Sequence, residues 1–376
     1  MWWNTEKHSD IYDRFSAFDN IYDGYLLARE NKRFKPEVLA YSANLEENVI
    51  DSVNRLQWMT YEPGTPRPFY EYFPKLRLIH AMPFEDRVIN CAAYNVLWPI
   101  YEKSMYEHSY GSIPGRGQLA AISTLKRWMQ YVSGKPQQWY IGKLDIAKFF
   151  FQIPVHIQLR EMTRPLNDER MSWFLEKAIV CDGRPFGLPV TATDVTTCER
   201  ICGIGMQVGS LISQTTANVV LTPLDHYIKR EMRIPYYIRY MDDMMILLPS
   251  KLECWEAIAE IDDHLQENLG LRLNQKTAVV PVGTGIEYIG HMVWPGRSSL
   301  RKSTSLNMKR HLRYVMEHYS TGELPLEYCL SVIQSYLGLM KHCDCDDLRE
   351  KTLEDFVLVR HHFGVDDEQI DDDPLF

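Results

Sequence analysis

Apolar residues recur along this chain with two periods, and the alternation between them outlines the elements. In "FSAFDNIYDGYLLA", Phe18, Ile21, Tyr22 and Tyr25 share one helical face, and residues 1 to about 46 have a helical pattern throughout. "YEPGTPRPFYEYFPKLRLI" breaks helix with four prolines and ends in a strand-like run. Helical spacing returns over 84–108. "YGSIPGRGQLAAISTLKRWMQ" is a Gly/Pro loop feeding a helix, and "QWYIGKLDIAKFFFQIPV" begins as a buried strand rich in β-formers. Residues 160–202 are mostly helical, with a loop at "CDGRPFGLP".

Over 213–232, Ala217, Val220, Leu221 and Leu224 keep helical spacing, and Pro223 predicts a kink or break. Two apolar runs, "YYIRYM" and "MMILL", then flank only two residues, which is β-hairpin spacing. A charged amphipathic helix is predicted at 251–269, with short strands at 277–282 and 286–294. Three helices follow over 303–362, broken at "STGELP" and near Asp344. Strands and helices that alternate and close in a helical tail predict an α+β enzyme with a helical appendage.

Composition changes this picture little, but charge changes it more. A chain of 376 residues can bury a large core. The formal net charge of −9 argues at first against a nucleic-acid partner. Its distribution is uneven, however. Residues 297–313, "RSSLRKSTSLNMKRHLR", hold six bases and no acid, whereas the last eleven residues hold six acids and no base. The acidic end has the composition of a weakly ordered tail. Eight cysteines are too few for a disulfide framework, and "MWWNTEKHSD" lacks the apolar core of a secretory leader. Reduced thiols in a cytosol-like compartment are expected. The stretch 203–224, within the longest uncharged run, is interspersed with Gln, Ser, Thr and Asn, so it is expected to be a buried packing segment and no membrane span.

The hairpin carries the candidate chemistry. The spacing predicts Asp242 and Asp243 at its tip, and Asp145 closes the apolar strand "YIGKLD". An Asp-Asp pair in a turn is most often only solvated, but here the flanks are apolar and Asp145 has a matching context. Two apolar strands side by side would bring three carboxylates together, an arrangement strongly unfavourable without compensation. Divalent cations resolve it, and hard oxygen ligands favour Mg²⁺. Two such ions about 4 Å apart serve in-line phosphoryl transfer.

At these residues the sequence resembles a family. "YMDD" within "YIRYMDDMMIL" is similar to the catalytic hairpin of reverse transcriptases, and "LDIAKFFFQI" resembles their first catalytic strand. The resemblance runs from about residue 55 to 345 and implies a right-hand fold, RNA-templated DNA synthesis from dNTPs, and two Mg²⁺ ions for which Mn²⁺ can substitute. It implies an N-terminal helical extension over 1–46, fingers over 47–137 and 156–209, and a palm of antiparallel sheet and helices over 138–155 and 210–293. A helical thumb over 294–365 and the acidic tail over 366–376 complete the assignment.

By motif position, Asp145, Asp242 and Asp243 match the family's metal triad, and the carbonyl of Ile146 a further metal contact. Phe150 matches the aromatic gate under the incoming sugar, with Phe149 and Phe151 expected in the core. "FPKLRLIHAMPFEDRV" resembles the fingers motif: Lys75 and Arg77, on alternate strand positions and hence one face, match the triphosphate contacts. A solvated strand face is the alternative for that pair. Arg87 is expected to tie the fingers together through Asp86. Lys276 matches the palm lysine that protonates pyrophosphate. Val208, Gly209 and Gln214 fall at the nucleotide pocket. Tyr240 and Met241 fall at the primer, as does Gly290 in "IEYIGHMVW", which resembles the primer-grip hairpin. The basic run containing Arg301 and Lys302 would track the phosphates of an RNA/cDNA hybrid. Arg116, in a loop that does not match a P-loop, is expected near template phosphate.

"VGSLISQ" narrows the resemblance. Many reverse transcriptases carry Gln-Gly, three residues, then Ser-Pro here; Val208 replaces that Gln and Gln214 that Pro. With "SIPGRG", "SQTTAN", "PLDHYIK" and "SYLGLMKHCDC", this resembles the enzymes of diversity-generating retroelements. That implies a template-repeat RNA, mutagenic synthesis at template adenines, a small helical accessory protein, and a cytoplasmic bacterial or phage setting. The chain ends soon after "RKSTS", so maturase and endonuclease domains are expected to be absent. A defence-associated bacterial reverse transcriptase is the alternative, and a catalytically inactive RNA-binding scaffold a third. "HCDC" and "CERIC" lack the second ligand pair of a zinc site.

Overall fold

The structure, a computed structural model, describes residues 7–71, 77–180, 183–189, 191–192 and 198–360. The acidic tail lies outside them. Four helices open the chain: α1 (Ile11–Phe15), α2 (Phe18–Ala28), α3 (Pro36–Ala43) and α4 (Leu45–Gln57). An antiparallel hairpin follows, β1 (Arg67–Glu71) with β2 (Arg77–Ala81), then α5 (Phe84–Tyr101) and α6 (Gln118–Ser133). Next come β3 (Tyr140–Asp145), α7 (Phe149–Gln152), α8 (Val155–Thr163), α9 (Glu169–Val180) and α10 (Leu211–His226). β4 (Tyr236–Tyr240) and β5 (Asp243–Leu248) form the hairpin, and α11 (Lys251–Leu269) follows. The remainder is β6 (Ala278–Pro281), β7 (Ile286–Tyr288), β8 (His291–Trp294), β9 (Arg297–Leu300), α12 (Lys302–Ser320), α13 (Leu326–Met340) and α14 (Asp346–Asp355).

Two compact units result, Met1–Ala121 with Gln137–Val280, and Ile122–Pro136 with Pro281–Phe376. In the first, α1 to α4 share one buried cluster with α5 and α9. The apolar stripe of α2 differs from the expected one. Ile21 and Tyr25 are buried, but Phe18 and Tyr22 are 44% and 39% exposed. Gly24 completes the inner face because α2 crosses α5 closely: a Cβ there would lie 2.6 Å from the Val88 carbonyl oxygen.

The sheet of the first unit has the order β4-β5-β3-β6. Its apolar face packs with α10 and α11 in a second cluster that includes Leu144, Met244, Ile246, Leu221 and Ile261. α10 holds the buried part of the uncharged run, which Asp225 ends; Gly203 and Gly209 before the helix and Gln214 within it are exposed. Thr215, Thr216 and Thr222 satisfy their hydroxyls on carbonyls one turn back, at 3.1, 2.8 and 2.9 Å. It passes through Pro223 unbroken, against expectation, and the irregularity comes later as a π-helical turn at Tyr227–Glu231. Val219, Val220, Leu221 and Leu224 are fully buried on both sides of the proline, so packing holds the helix where one backbone bond is lost. The "QWYIGKLDIAKFFFQIPV" segment begins as a strand, as expected: β3 stops at Asp145, and the "FFF" phenylalanines form a helical turn after Lys148, whose φ is 47°.

In the second unit, β7, β8 and β9 form a meander. Ile289 and Gly290 turn its first hairpin with φ of 45° and 78°, the two positive values of a tight two-residue turn. α12 and α13 close over Met308, Leu312, Ile333 and Met340. Among the described residues no helix is long and apolar enough to cross a membrane.

Candidate active site

The hairpin turn is made by Met241 and Asp242, one residue earlier than the spacing suggested. Asp243 is the first residue of β5 and pairs with Tyr240 across the hairpin. In this register Met244 to Leu247 are all buried, on both faces of β5, and Asp243 falls within the ladder ahead of them. On its other side β5 pairs with β3, where Asp243 is the partner of Asp145. The Asp242 carbonyl accepts the Ile146 amide at 3.3 Å. All three acids are therefore on adjacent backbone positions at one end of the central strand pair, each half-buried.

Asn274 completes this end of the sheet and was missed by the sequence reading. Its amide donates to the Asp145 carbonyl at 2.6 Å, and its side-chain Nδ2 to Asp145 Oδ2 at 2.9 Å. Lys276 is exposed in the turn two residues later, its own amide bonded to Asn274 Oδ1. Ile146, buried beneath, is bridged to Leu273.

Phe149 is 1% exposed in the core, and Phe150, half-buried, meets it edge to face at 5.5 Å. Phe151 was expected in the core. It is instead partly exposed, with the Arg200 guanidinium 4.6 Å from its ring centre. A helical turn cannot point three successive side chains to one side.

Val208 and Gly209 precede α10, whose N-cap Ser210 accepts from the Ser213 amide. They abut β2. The His80 amide donates to the Val208 carbonyl, and Gln207 Nε2 to the His80 carbonyl, at 3.2 and 3.1 Å. A Cβ on Gly209, at φ 109°, would lie 3.1 Å from Ile79. Gln214 is exposed one turn into α10. Lys75 lies outside the described residues, as does the Arg77 side chain; the Arg77 backbone is the first of β2, paired with Glu71.

One arginine, Arg87, has another partner than expected, and a second, Arg116, binds within its own loop. Arg87 reaches Glu37 at 3.3 Å, whereas Asp86 is buried with Tyr61 OH and the Gly64 amide, both at 2.8 Å. Neighbours on a helix do not share a face. Burial raises the Asp86 pKa, and these two donors oppose the shift. Arg116 directs Nη1 at the carbonyls of Tyr106, Glu107 and Ser109, at 2.6, 3.1 and 3.1 Å, so its guanidinium organises the loop it belongs to.

In the second unit, the Gly290 carbonyl accepts from the Arg301 amide and Thr304 Oγ1, which joins the meander to the start of α12. Arg301 is 3.6 Å from Glu287, and Lys302 is exposed.

The donors at the carboxylate end suit a hard divalent ion: three acids and a carbonyl, all oxygen. Among the described residues no three acidic, His or Cys side chains converge as a preformed cage. Mg²⁺ does not require one. It keeps several waters and binds through one or two carboxylates together with substrate phosphates. The residues present therefore fit the ion, with substrate completing the shell.

A profile described as "Reverse transcriptase (RNA-dependent DNA polymerase)" matches residues 72–293. The chain is 25% identical over 273 residues to Protein YkfC of Escherichia coli (strain K12), covering 63% of this chain and 69% of that one. It is 21% identical over 264 residues to a putative COX1/OXI3 intron 2 protein of Saccharomyces cerevisiae, covering 55% and 29%. Among solved structures it is similar to telomerase from Candida albicans in complex with a TWJ fragment of telomeric RNA, with TM-score 0.45, 12% identity, and 74% and 55% of the two chains covered. For apo telomerase from Candida tropicalis truncated from its C-terminal domain, the TM-score is 0.44, the identity 9%, and the coverage 66% and 58%. The chain thus spans little more than half of either telomerase chain and under a third of the yeast protein.

Proposed function

The chain belongs to the reverse transcriptase family of RNA-directed DNA polymerases, with their right-hand fold, and from that premise we propose that it is the error-prone reverse transcriptase of a diversity-generating retroelement. It copies a template-repeat RNA into cDNA from dNTPs, in the bacterial cytoplasm and with a small helical accessory protein.

Two Mg²⁺ ions held by Asp145, Asp242, Asp243 and the Ile146 carbonyl would activate the primer 3′-hydroxyl and neutralise the leaving pyrophosphate. Lys75 and Arg77 hold the triphosphate, and Lys276 delivers a proton to the leaving oxygen. Phe150 lies under the sugar, where its ring collides with a 2′-hydroxyl. Tyr240, Met241 and Gly290 meet the primer, and Arg301 and Lys302 the phosphates of the hybrid.

The observation that carries the retroelement reading is Val208, followed by Gly209, with Gln214 six residues on. A glutamine at Val208 could hydrogen-bond near the incoming sugar. A β-branched apolar side chain cannot, so the nascent pair is held with less discrimination. The test is extension of a primer on an adenine-containing RNA template with Mg²⁺ and all four dNTPs. Extension with errors concentrated opposite adenine, absent from Asp242→Ala/Asp243→Ala, is expected. Equal extension by the double variant ends the polymerase reading, and faithful copying of adenine ends the retroelement reading.

A further inference from the structure

Arg239 lies in the middle of β4, and with Asp225 on α10 it forms a fully buried ion pair. Nε and Nη2 grip the two carboxylate oxygens at 2.7 and 2.6 Å, and Tyr237 OH adds a bond to Asp225 at 2.7 Å. Taking two charges out of water is costly, and an apolar pair of similar volume commonly stabilises a fold as well or better. Stability alone therefore does not account for this pair.

Its position does. The remaining arm, Nη1, reaches Asn218 Oδ1 at 3.1 Å and the Met241 carbonyl at 3.3 Å, the latter inside the turn that carries Asp242. Met241 has φ 54°, a left-handed conformation that a non-glycine residue holds only when its surroundings impose it. The surroundings close on it from a second side. Asn218 Nδ2 donates to the Gly111 carbonyl at 2.8 Å, and a Cβ on Gly111 would lie 2.7 Å from the Met241 nitrogen. The Arg239 backbone fixes the same loop, accepting from the Tyr110 amide at 2.9 Å and donating to the His108 carbonyl at 3.0 Å.

We propose that Arg239, anchored by Asp225 and Asn218, is the positioning residue of the catalytic hairpin: it holds the Met241 carbonyl, and with it the direction in which Asp242 and Asp243 leave the turn. This rests on the reading of those two acids as metal ligands. Arg239 touches neither metal nor substrate. It acts through the backbone, and Asn218 couples the hairpin to the Gly111 loop.

The test is Mn²⁺ binding to the full chain with primer and template, followed by electron paramagnetic resonance. Asn218→Leu removes the coupling but leaves the ion pair. Arg239→Met/Asp225→Leu replaces the pair by apolar residues of similar size, which keeps the fold testable. Both should weaken Mn²⁺ binding about tenfold, the lower end of what loss of an outer-shell partner costs. Primer–template affinity should fall far less than this, because Gly290, Arg301 and Lys302, which are not part of the turn, also hold the duplex, and extension should recover at raised Mg²⁺. Unchanged Mn²⁺ affinity in the folded variants overturns the proposal, as does an equal loss of template affinity, which would mark general disorder. Asp242→Ala/Asp243→Ala is the separate control: if it binds Mn²⁺ like the parent chain, the underlying metal reading fails instead.

Discussion

Asp145 and Asp243 are register partners on adjacent antiparallel strands, so two carboxylates that carry like charge stand directly opposite each other in the ladder. Opposed like charges weaken a cross-strand pair, by up to about 1 kcal/mol. Asp243→Asn is therefore expected to raise the thermal midpoint of the metal-free chain slightly, while it abolishes the further rise that Mg²⁺ gives the parent protein. Thermal melts with and without Mg²⁺ read both effects. A variant that melts lower without metal, yet still gains from Mg²⁺, contradicts the arrangement.

Asn274 holds Asp145 twice, through its amide and its side chain. Asn274→Ala keeps the first bond and removes the second. The Mg²⁺ concentration for half-maximal extension should rise roughly 10- to 100-fold, the usual effect of losing an outer-shell partner. Extension at saturating Mg²⁺ should change far less. The Mg²⁺ titration measures this directly.

On the proposed reading, Val208→Gln places a side chain able to hydrogen-bond at the nucleotide pocket. Misincorporation opposite template adenine should fall, with little change opposite the other bases. Sequencing of cDNA from an RNA template of mixed composition is the measurement, and an unaltered error spectrum would remove Val208 from the account of infidelity.

Gly111→Ala sets a methyl against Met241, 2.5 Å from its side-chain Cγ and 2.7 Å from its backbone nitrogen, and the side chain can move aside but the backbone of the turn cannot without shifting. Forced overpacking of this kind costs about 1–3 kcal/mol. Denaturant melts should show that loss, and extension should fall with it because the displaced group is the turn that carries Asp242.

Four half-buried or buried histidines shape the acid side of the stability curve, His264 among them because burial lowers its pKa. Burial lowers the pKa of His80, with Arg200 adding to the effect. It also lowers those of His226 and His291, against hydrogen bonds to the Ser104 and Ile289 carbonyls. The folded chain thus holds these rings neutral below the ordinary value of about 6.5. As pH falls through 6.5 the unfolded chain takes up protons first, so stability is complete above that pH and declines below it. The thermal midpoint should drop between pH 7.5 and 5.5, and His226→Gln should flatten the drop.

The site was legible where chemistry and period coincide. Apolar runs flanking two acids announced the hairpin, and the strand ending in Asp145 announced its neighbour. The one-residue shift of the turn was not legible, because apolar residues are buried on both sides of β5 and no alternation marks where the strand begins. Arg239 and Asp225 left a faint trace. One is the sole charge within β4, and the other ends the longest uncharged run. Their pairing across fourteen residues becomes visible only once α10 and β4 are packed together. Asn274 left none: it lies 129 residues from the acid it holds. Pro223 misled because a local rule about helices yielded to packing on both sides of the proline.

β4 borders the sheet, and a bordering strand is where one polypeptide can recruit another. Here the loop around Ser109 occupies the mid-strand backbone groups of Arg239. The segment that steadies the hairpin thus also blunts that border against self-association. Chains in which this loop is shortened would lose solubility along with polymerase competence, and selection on either property would preserve it.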